Sequence, residues 1–279
     1  MSSFTFPWAI GALCAVFAAG VGAGMLVYRA DARRAVIDAP DMKWVRDGIS
    51  GAVGFLRSAT AFLLGVLMLA ALSHFNATDD VVNSEALAYS AAFDSTVALE
   101  PADQAKVRHD LVCLMRSVST SSWIASEQQD ATGSENTHAW RTRALRDANR
   151  VVPATGAQEN TLATLQSELV QAAKFGQHRL LEATSDLPRP LWVVVYVSIF
   201  LLTMTLTVLL RPAPLLAVIN LGGVLLLTSA IVWTLTSFAQ PFTKDGIYLS
   251  PHAINDVMVR LQSAYPEADW GPCETLSLS

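Results

Sequence analysis

Charge is scarce in this sequence. Only 15% of its 279 residues are Asp, Glu, Lys or Arg, against about 25% in soluble domains. The formal net charge is -5 and no long basic block occurs. Nothing is present to neutralise a run of phosphates, which argues against a nucleic-acid partner. Cysteine is scarce too. Cys14, Cys113 and Cys273 form an odd, scattered set that reads neither as a disulfide framework nor as a metal knuckle. Cys14 lies inside an apolar run and reads as a small hydrophobe. Signatures of catalysis are missing: no glycine-rich phosphate loop, no His-Glu-x-x-His, no Gly-x-Ser-x-Gly elbow. The histidines at 74, 109, 138, 178 and 252 are dispersed. Asp79, Asp80 and Glu85 suit a helix start better than a carboxylate site. The expectation is a non-enzyme with no metal and no cofactor.

What the sequence has in excess is apolar length. Four stretches approach or exceed the roughly 20 residues that cross a bilayer: Trp8–Tyr28, Ile49–Leu72, Leu191–Leu210 and Leu215–Phe238. The first is flanked by Arg29, Arg33 and Arg34 on its far side and by no Lys or Arg before it. That order predicts a retained anchor rather than a cleaved signal. The last two are separated by Arg211-Pro212-Ala213-Pro214, where proline breaks the helix ladder and predicts a tight hairpin. Trp8, Tyr28, Trp44 and Trp192 sit where interfacial aromatic belts fall. Arg29, Arg33, Arg34, Lys43, Arg46 and Arg211 lie in the short loops, against Arg179, Arg189 and Lys244 on the other side. This bias predicts short loops in the cytoplasm of a bacterial inner membrane. Both termini and the middle segment would then lie on the periplasmic side.

The expected fold is all-α: four spans with a helical insertion between spans 2 and 3. Residues 1–73 form the first pair of spans with a basic loop at 29–48. Residues 74–190 form the extramembrane domain, 191–238 the hairpin, and 239–279 a final amphipathic helix and tail. The middle segment carries 15 acidic and 10 basic residues and almost no strand signal. Glu100-Pro101 opens one helix, with Ala105, Leu111, Val112, Met115 and Val118 at helical spacing. A loop covers 130–136, and a short basic helix follows. A long helix spans about 157–184, and a separate helix is expected over 79–99. The basic cluster Arg141, Arg143, Arg146 and Arg150 reads as a solvated face, or as a partner for anionic lipid or an acidic neighbouring helix.

Two features inside the spans carry functional weight. Arg57 sits nine residues into the second span, about 12 Å along it. An arginine at that depth is costly unless it snorkels or faces a partner or lumen. The stripe Gly51, Gly54, Ser58, Ala61 and Gly65 repeats at 3-4-3-4 spacing and predicts close helix packing or a narrow pore wall. Gly11, Ala15, Ala18 and Gly22 form a similar stripe in the first span. Hydroxyls such as Ser198, Thr203, Thr207, Thr234 and Ser237 can satisfy themselves on their own helix, and Asn220 near the start of the fourth span can reach headgroups.

"ATSDLPRPLW" (183–192) and "AQPFTKDGIYLSPHAINDVMVRLQ" (239–262) resemble segments of the DUF4239 family of bacterial integral membrane proteins, also called bestrophin-like domain proteins. The resemblance covers Trp8 to Leu261. Asp186, Pro188 and Trp192 carry it at the entry to the third span, and Pro241, Phe242, Gly246 and Pro251 after the fourth. Ala239 and Gln240 replace the family's usual charged pair, which argues against a working charge at that rim. In physical terms Pro241 ends the helix, Phe242 anchors in headgroups or under the middle domain, Gly246 allows a positive-φ turn, and Ser250-Pro251 caps and opens the last helix. The resemblance implies an oligomeric channel or pore, by analogy with the bestrophin anion channels. Its partners would be membrane lipid, copies of itself and a small inorganic ion. The alternative is a non-conducting scaffold or sensor whose helical domain binds a ligand or partner. The bestrophin analogy would put the middle domain in the cytoplasm, against the charge bias.

Overall fold

The computed structural model describes residues 6–33, 43–184, 189–209, 214–244 and 246–276, and all regular structure among them is helical. The helices are α1 (Phe6–Arg33), α2 (Lys43–Asp94), α3 (Pro101–Ser117), α4 (Trp123–Glu127), α5 (Glu135–Arg150), α6 (Gly156–Ala183), α7 (Arg189–Leu209), α8 (Pro214–Ala239) and α9 (His252–Ala264). They form two compact units. One comprises residues 1–74, 186–239 and 245–247; the other comprises 75–185, 240–244 and 248–279. The closing segment after α8 therefore belongs largely with the middle helices.

The first unit holds the apolar helices. Three of them, α1, α2 and α8, are long and apolar enough to cross a membrane, and α7 carries a shorter apolar stretch, Trp192–Val208. Their inward rows are short: Ala9 and Leu13 on α1, Leu64, Leu67 and Ala71 on α2, Val195 and Ile199 on α7, and Val232 and Leu235 on α8. The three- and four-residue steps put each row on one face. Large apolar side chains point outward as well. Leu26, Phe55, Phe62, Leu69, Leu215, Val218, Leu226 and Leu227 are 62–76% exposed. Water would penalise such a surface by about 25 cal/mol per Å²; a hydrocarbon solvent does not, and this is the signature of a lipid-facing surface. The hydroxyls behave as helix-internal groups. Thr203 donates to the Ile199 carbonyl at 2.9 Å, Thr207 to Thr203 at 2.8 Å, Thr234 to Ala230 at 2.8 Å, Ser237 to Trp233 at 2.9 Å and Ser198 to Val194 at 2.8 Å.

The second unit has an ordinary globular core. Ala86, Tyr89, Ala92 and Phe93 of α2 pack with Leu111, Leu114 and Met115 of α3, Trp140 and Ala144 of α5, Leu165 and Leu169 of α6, and Ile254 and Val257 of α9. The helix expected at 79–99 is no separate element: α2 runs unbroken to Asp94, and a 3₁₀ turn, Ser95–Ala98, ends it. No proline or glycine lies between Gly65 and Asp94 to stop the helix. Pro101 takes the first turn of α3 as expected. Gly133 (φ +73°) makes the turn before α5, in the left-handed region that glycine enters without cost.

The cysteine expectation is overturned. Cys113 of α3 and Cys273, 160 residues on, form a disulfide with Cα atoms 5.5 Å apart. Wide spacing hid it, because the chain after α9 folds back along α3. Cys14 is free and exposed on α1.

Candidate functional site

The stripe Gly51, Gly54, Ser58, Ala61 and Gly65 is exposed on α2. A Cβ built on Gly51, Gly54 or Gly65 meets nothing within 4 Å. Arg57 is exposed as well. It follows Gly54 by three residues and precedes Ala61 by four, so it borders the stripe. On the other border Phe55, Phe62 and Leu69 recur every seven residues, all exposed. Sequence reasoning missed this apolar row, although its heptad spacing was legible.

Close glycine packing inside the unit occurs elsewhere. A Cβ on Gly20 would meet the Thr203 side chain and lie 3.0 Å from the Phe200 carbonyl oxygen. On Gly24 it would lie 2.8 Å from Thr207 Cβ and 2.9 Å from the Met204 carbonyl oxygen. Gly20/Gly24 and Thr203/Thr207 form matching four-residue repeats on α1 and α7, a small-xxx-small contact. Gly11 and Gly22, in the stripe read from the sequence, meet nothing within 4 Å.

The signature residues are divided between the two units and serve the architecture of each. Phe242 is buried against Trp123, ring centroids 5.3 Å apart, with Val82, Ala183 and Leu249 around it. Of its two expected places, then, it takes the one within the helical unit. The Pro241 carbonyl accepts from Leu249 N at 2.6 Å. Pro251, not Ser250, stands immediately before α9. The demand on Gly246 is steric: a Cβ there would collide with the Ser237 side chain. Trp192 stacks on Tyr196 at 6.0 Å. Asp186, Pro188 and Arg211 lie outside the described residues.

A buried polar cluster was not foreseen. Arg179 of α6, 1% exposed, donates through Nε to Glu85 of α2 at 2.8 Å, through Nη1 to Ser126 Oγ at 2.6 Å and through Nη2 to Ser122 Oγ at 3.1 Å. Its guanidinium lies 5.2 Å from the Trp123 ring centroid. Gly176 makes room: a Cβ there would come within 2.8 Å of Glu85 Oε1 and 3.1 Å of Arg141 Nη2. Ser122 closes a single π-helical turn, Val118–Ser122. In the hydroxyl-rich run around it, Ser117, Ser119 and Thr120 return bonds to backbone carbonyls, the competition that loosens helices. Burial, then the Glu85 charge, pushes the Tyr89 phenol well above its ordinary range.

Two arginines of the basic cluster on α5 meet acids. Arg143 pairs with buried Asp110 of α3 at 3.1 Å, and Arg150 with Asp147 at 3.7 Å, which Lys106 also reaches at 3.0 Å. Burial, then the hydrogen bond shared with Asp147, pushes the Asp110 carboxyl up to about 7, with Arg143 opposing. Burial raises Asp147 too, but Lys106, the bond to Asp110 and Arg150 outweigh it and hold Asp147 below the usual carboxylate range.

Fold and surface define a protein that is all-helical among the described residues, with three helices able to cross a membrane and a helical unit with an apolar core and one fully buried ion pair, Arg179–Glu85. The chain belongs to the Bestrophin-like family, whose domain matches residues 14–248. Two crystal structures of a bacterial Bestrophin homolog from Klebsiella pneumoniae share its fold. One carries a leucine-to-threonine substitution: TM-score 0.66, 13% identity, 91% of this chain and 98% of that one covered. The other carries a tyrosine-to-alanine substitution: TM-score 0.66, 13% identity, 89% and 97% covered. No curated protein matches.

Proposed function

We propose that the protein is a homo-oligomeric, four-span membrane pore of the bacterial inner membrane that passes small anions. The observation that carries this reading is the α2 face. A stripe of small residues, bordered by a fixed cation and the exposed row Phe55, Phe62 and Leu69, meets nothing within 4 Å at its glycines among the described residues. Copies of α2 brought together around an axis would turn this face inward or bury it between subunits. Arg57 would then lower the entry barrier for an anion and repel cations, while Phe55, Phe62 and Leu69 would form an apolar constriction. Family membership supports the same reading. The excess of Lys and Arg in the short loops supports an extracytoplasmic helical unit.

The test is reconstitution of purified protein into planar bilayers with asymmetric chloride, alongside its mass in lipid. An oligomer whose reversal potential follows the chloride gradient is expected. An intact oligomer silent at all voltages and pH values would transfer the assignment to a non-conducting scaffold or sensor.

A further inference from the structure

We propose that α2, α5 and α6 together form a buried binding site for one water molecule, held between Glu85, Tyr89 and Arg141. The site extends the Arg179–Glu85 pair into a joint of three helices within the helical unit. It stands whether or not the protein conducts and whichever way that unit faces.

Three polar atoms there have no hydrogen-bond partner among the described residues: Glu85 Oε1, Tyr89 Oη and Arg141 Nε. All three atoms are buried, and Glu85 and Tyr89 as whole side chains are 0% and 1% exposed. Glu85 engages Arg179 through Oε2 alone. Glu85 and Tyr89 stand four residues apart on α2 and so share a face. The charges of Glu85, Arg141 and Arg179 all act on the Tyr89 phenol, which places the four groups together. Gly176 of α6 closes the group from another side. The point where its Cβ would stand is 2.8 Å from Glu85 Oε1 and 3.1 Å from Arg141 Nη2. Polar atoms of α2 and α5 therefore face bare backbone of α6. A buried polar atom left unpaired is costly, and three in one place call for a common partner.

The atoms define the chemistry of that partner. Glu85 Oε1 accepts, Arg141 Nε–H donates, and a phenol does both. An anion would meet the second carboxylate oxygen of Glu85. A cation would meet two guanidinium groups, those of Arg141 and Arg179. A neutral molecule that both donates and accepts meets neither objection. The room left by one absent side chain limits it to the size of a water, and about three polar partners is the usual coordination of a buried water. The water donates to Glu85 Oε1 and accepts from Arg141 Nε. Burial keeps the Tyr89 phenol protonated, so its hydroxyl is the second donor to the water.

The experiment has two arms, both on the full chain. Crystals grown in bromide, diffracting well enough to show ordered water, should hold one solvent peak within hydrogen-bond distance of Glu85 Oε1, Arg141 Nε and Tyr89 Oη. No peak there, or a peak with the anomalous signal of bromide, would overturn the proposal. The second arm reads the Tm of the helical unit. Deleting an unpaired buried hydroxyl leaves stability unchanged or raises it, whereas Tyr89→Phe should lower the Tm by about 2–4 °C, because it takes a donor from the water. In a Gly176→Ala background, where the methyl group displaces the water, Tyr89→Phe should have no further effect. An unchanged or raised Tm for Tyr89→Phe alone would overturn the proposal. So would an equal drop in both backgrounds, which would mean that Arg141 holds the phenol directly. If Gly176→Ala fails to fold, the crystals and the single Tyr89→Phe variant still decide.

Discussion

At the scale of single residues, environment decides what each charge does. Arg57 and Arg179 are the same side chain in opposite settings. Arg57 is exposed on an apolar helix; Arg179 is buried and bonded to Glu85, Ser122 and Ser126. Arg57→Gln should leave the oligomer intact and move the anion-to-cation permeability ratio towards one, while Arg57→Lys retains most of the preference. Unchanged selectivity in a well-folded Arg57→Gln pore would mean that the guanidinium rests among headgroups. Arg179→Met strands Glu85 as a lone buried carboxylate and should cost about 3–5 kcal/mol, read as a lowered Tm of the helical unit. Adding Glu85→Gln should recover part of that loss. Asp110 gives a pH signature. Its carboxyl holds a proton more tightly folded than unfolded. The resulting stability is fully present below the unfolded value near 4 and is lost as pH rises through about 7, with a slope of up to about 1.4 kcal/mol per pH unit. Asp110→Asn should flatten the Tm profile between pH 5 and 8, and a slope identical to wild type would remove Asp110 as its source.

At the scale of elements, two sets of glycines make separable demands. Gly20 and Gly24 let α1 and α7 approach within the chain. Gly20→Leu or Gly24→Leu should therefore cost about 1–3 kcal/mol through overpacking and lower yield of folded monomer. Gly54 and Gly65 have open space around them. Gly54→Leu and Gly65→Leu should leave the single chain folded and disrupt oligomer mass in lipid, because the added side chains reach only a neighbouring copy. Wild-type assembly with both substitutions would show that this face touches lipid alone.

At the scale of the whole molecule, the disulfide between Cys113 and Cys273 closes a loop of 160 residues. Cys113→Ala with Cys273→Ala should cost about 2–5 kcal/mol and lower the Tm of the helical unit. Reductant should do the same to wild type and nothing further to the variant. Equal stability with and without reductant would mean that the segment after α9 is held by its hydrogen bonds and ion pairs alone.

The sequence by itself determined the helical class, the apolar stretches and the α3, α5 and α6 segments. These are local quantities: run length, 3.6-residue periodicity, and proline or glycine at boundaries. It also marked the α2 stripe and Arg57 as candidate features, because small residues at 3-4 spacing and a charge in an apolar run are visible without neighbours. Only the tertiary structure decided what meets what. Glu85, read as a helix-start acid, became the partner of Arg179, 94 residues away; two arginines of α5, Arg143 and Arg150, read first as part of a solvated face, found Asp110 and Asp147. Phe242 went into a core rather than an interface, and Cys113 met Cys273. Each pairing joins positions far apart in the chain. Burial, ion pairing and disulfide formation depend on distance in space, which periodicity along one helix does not encode.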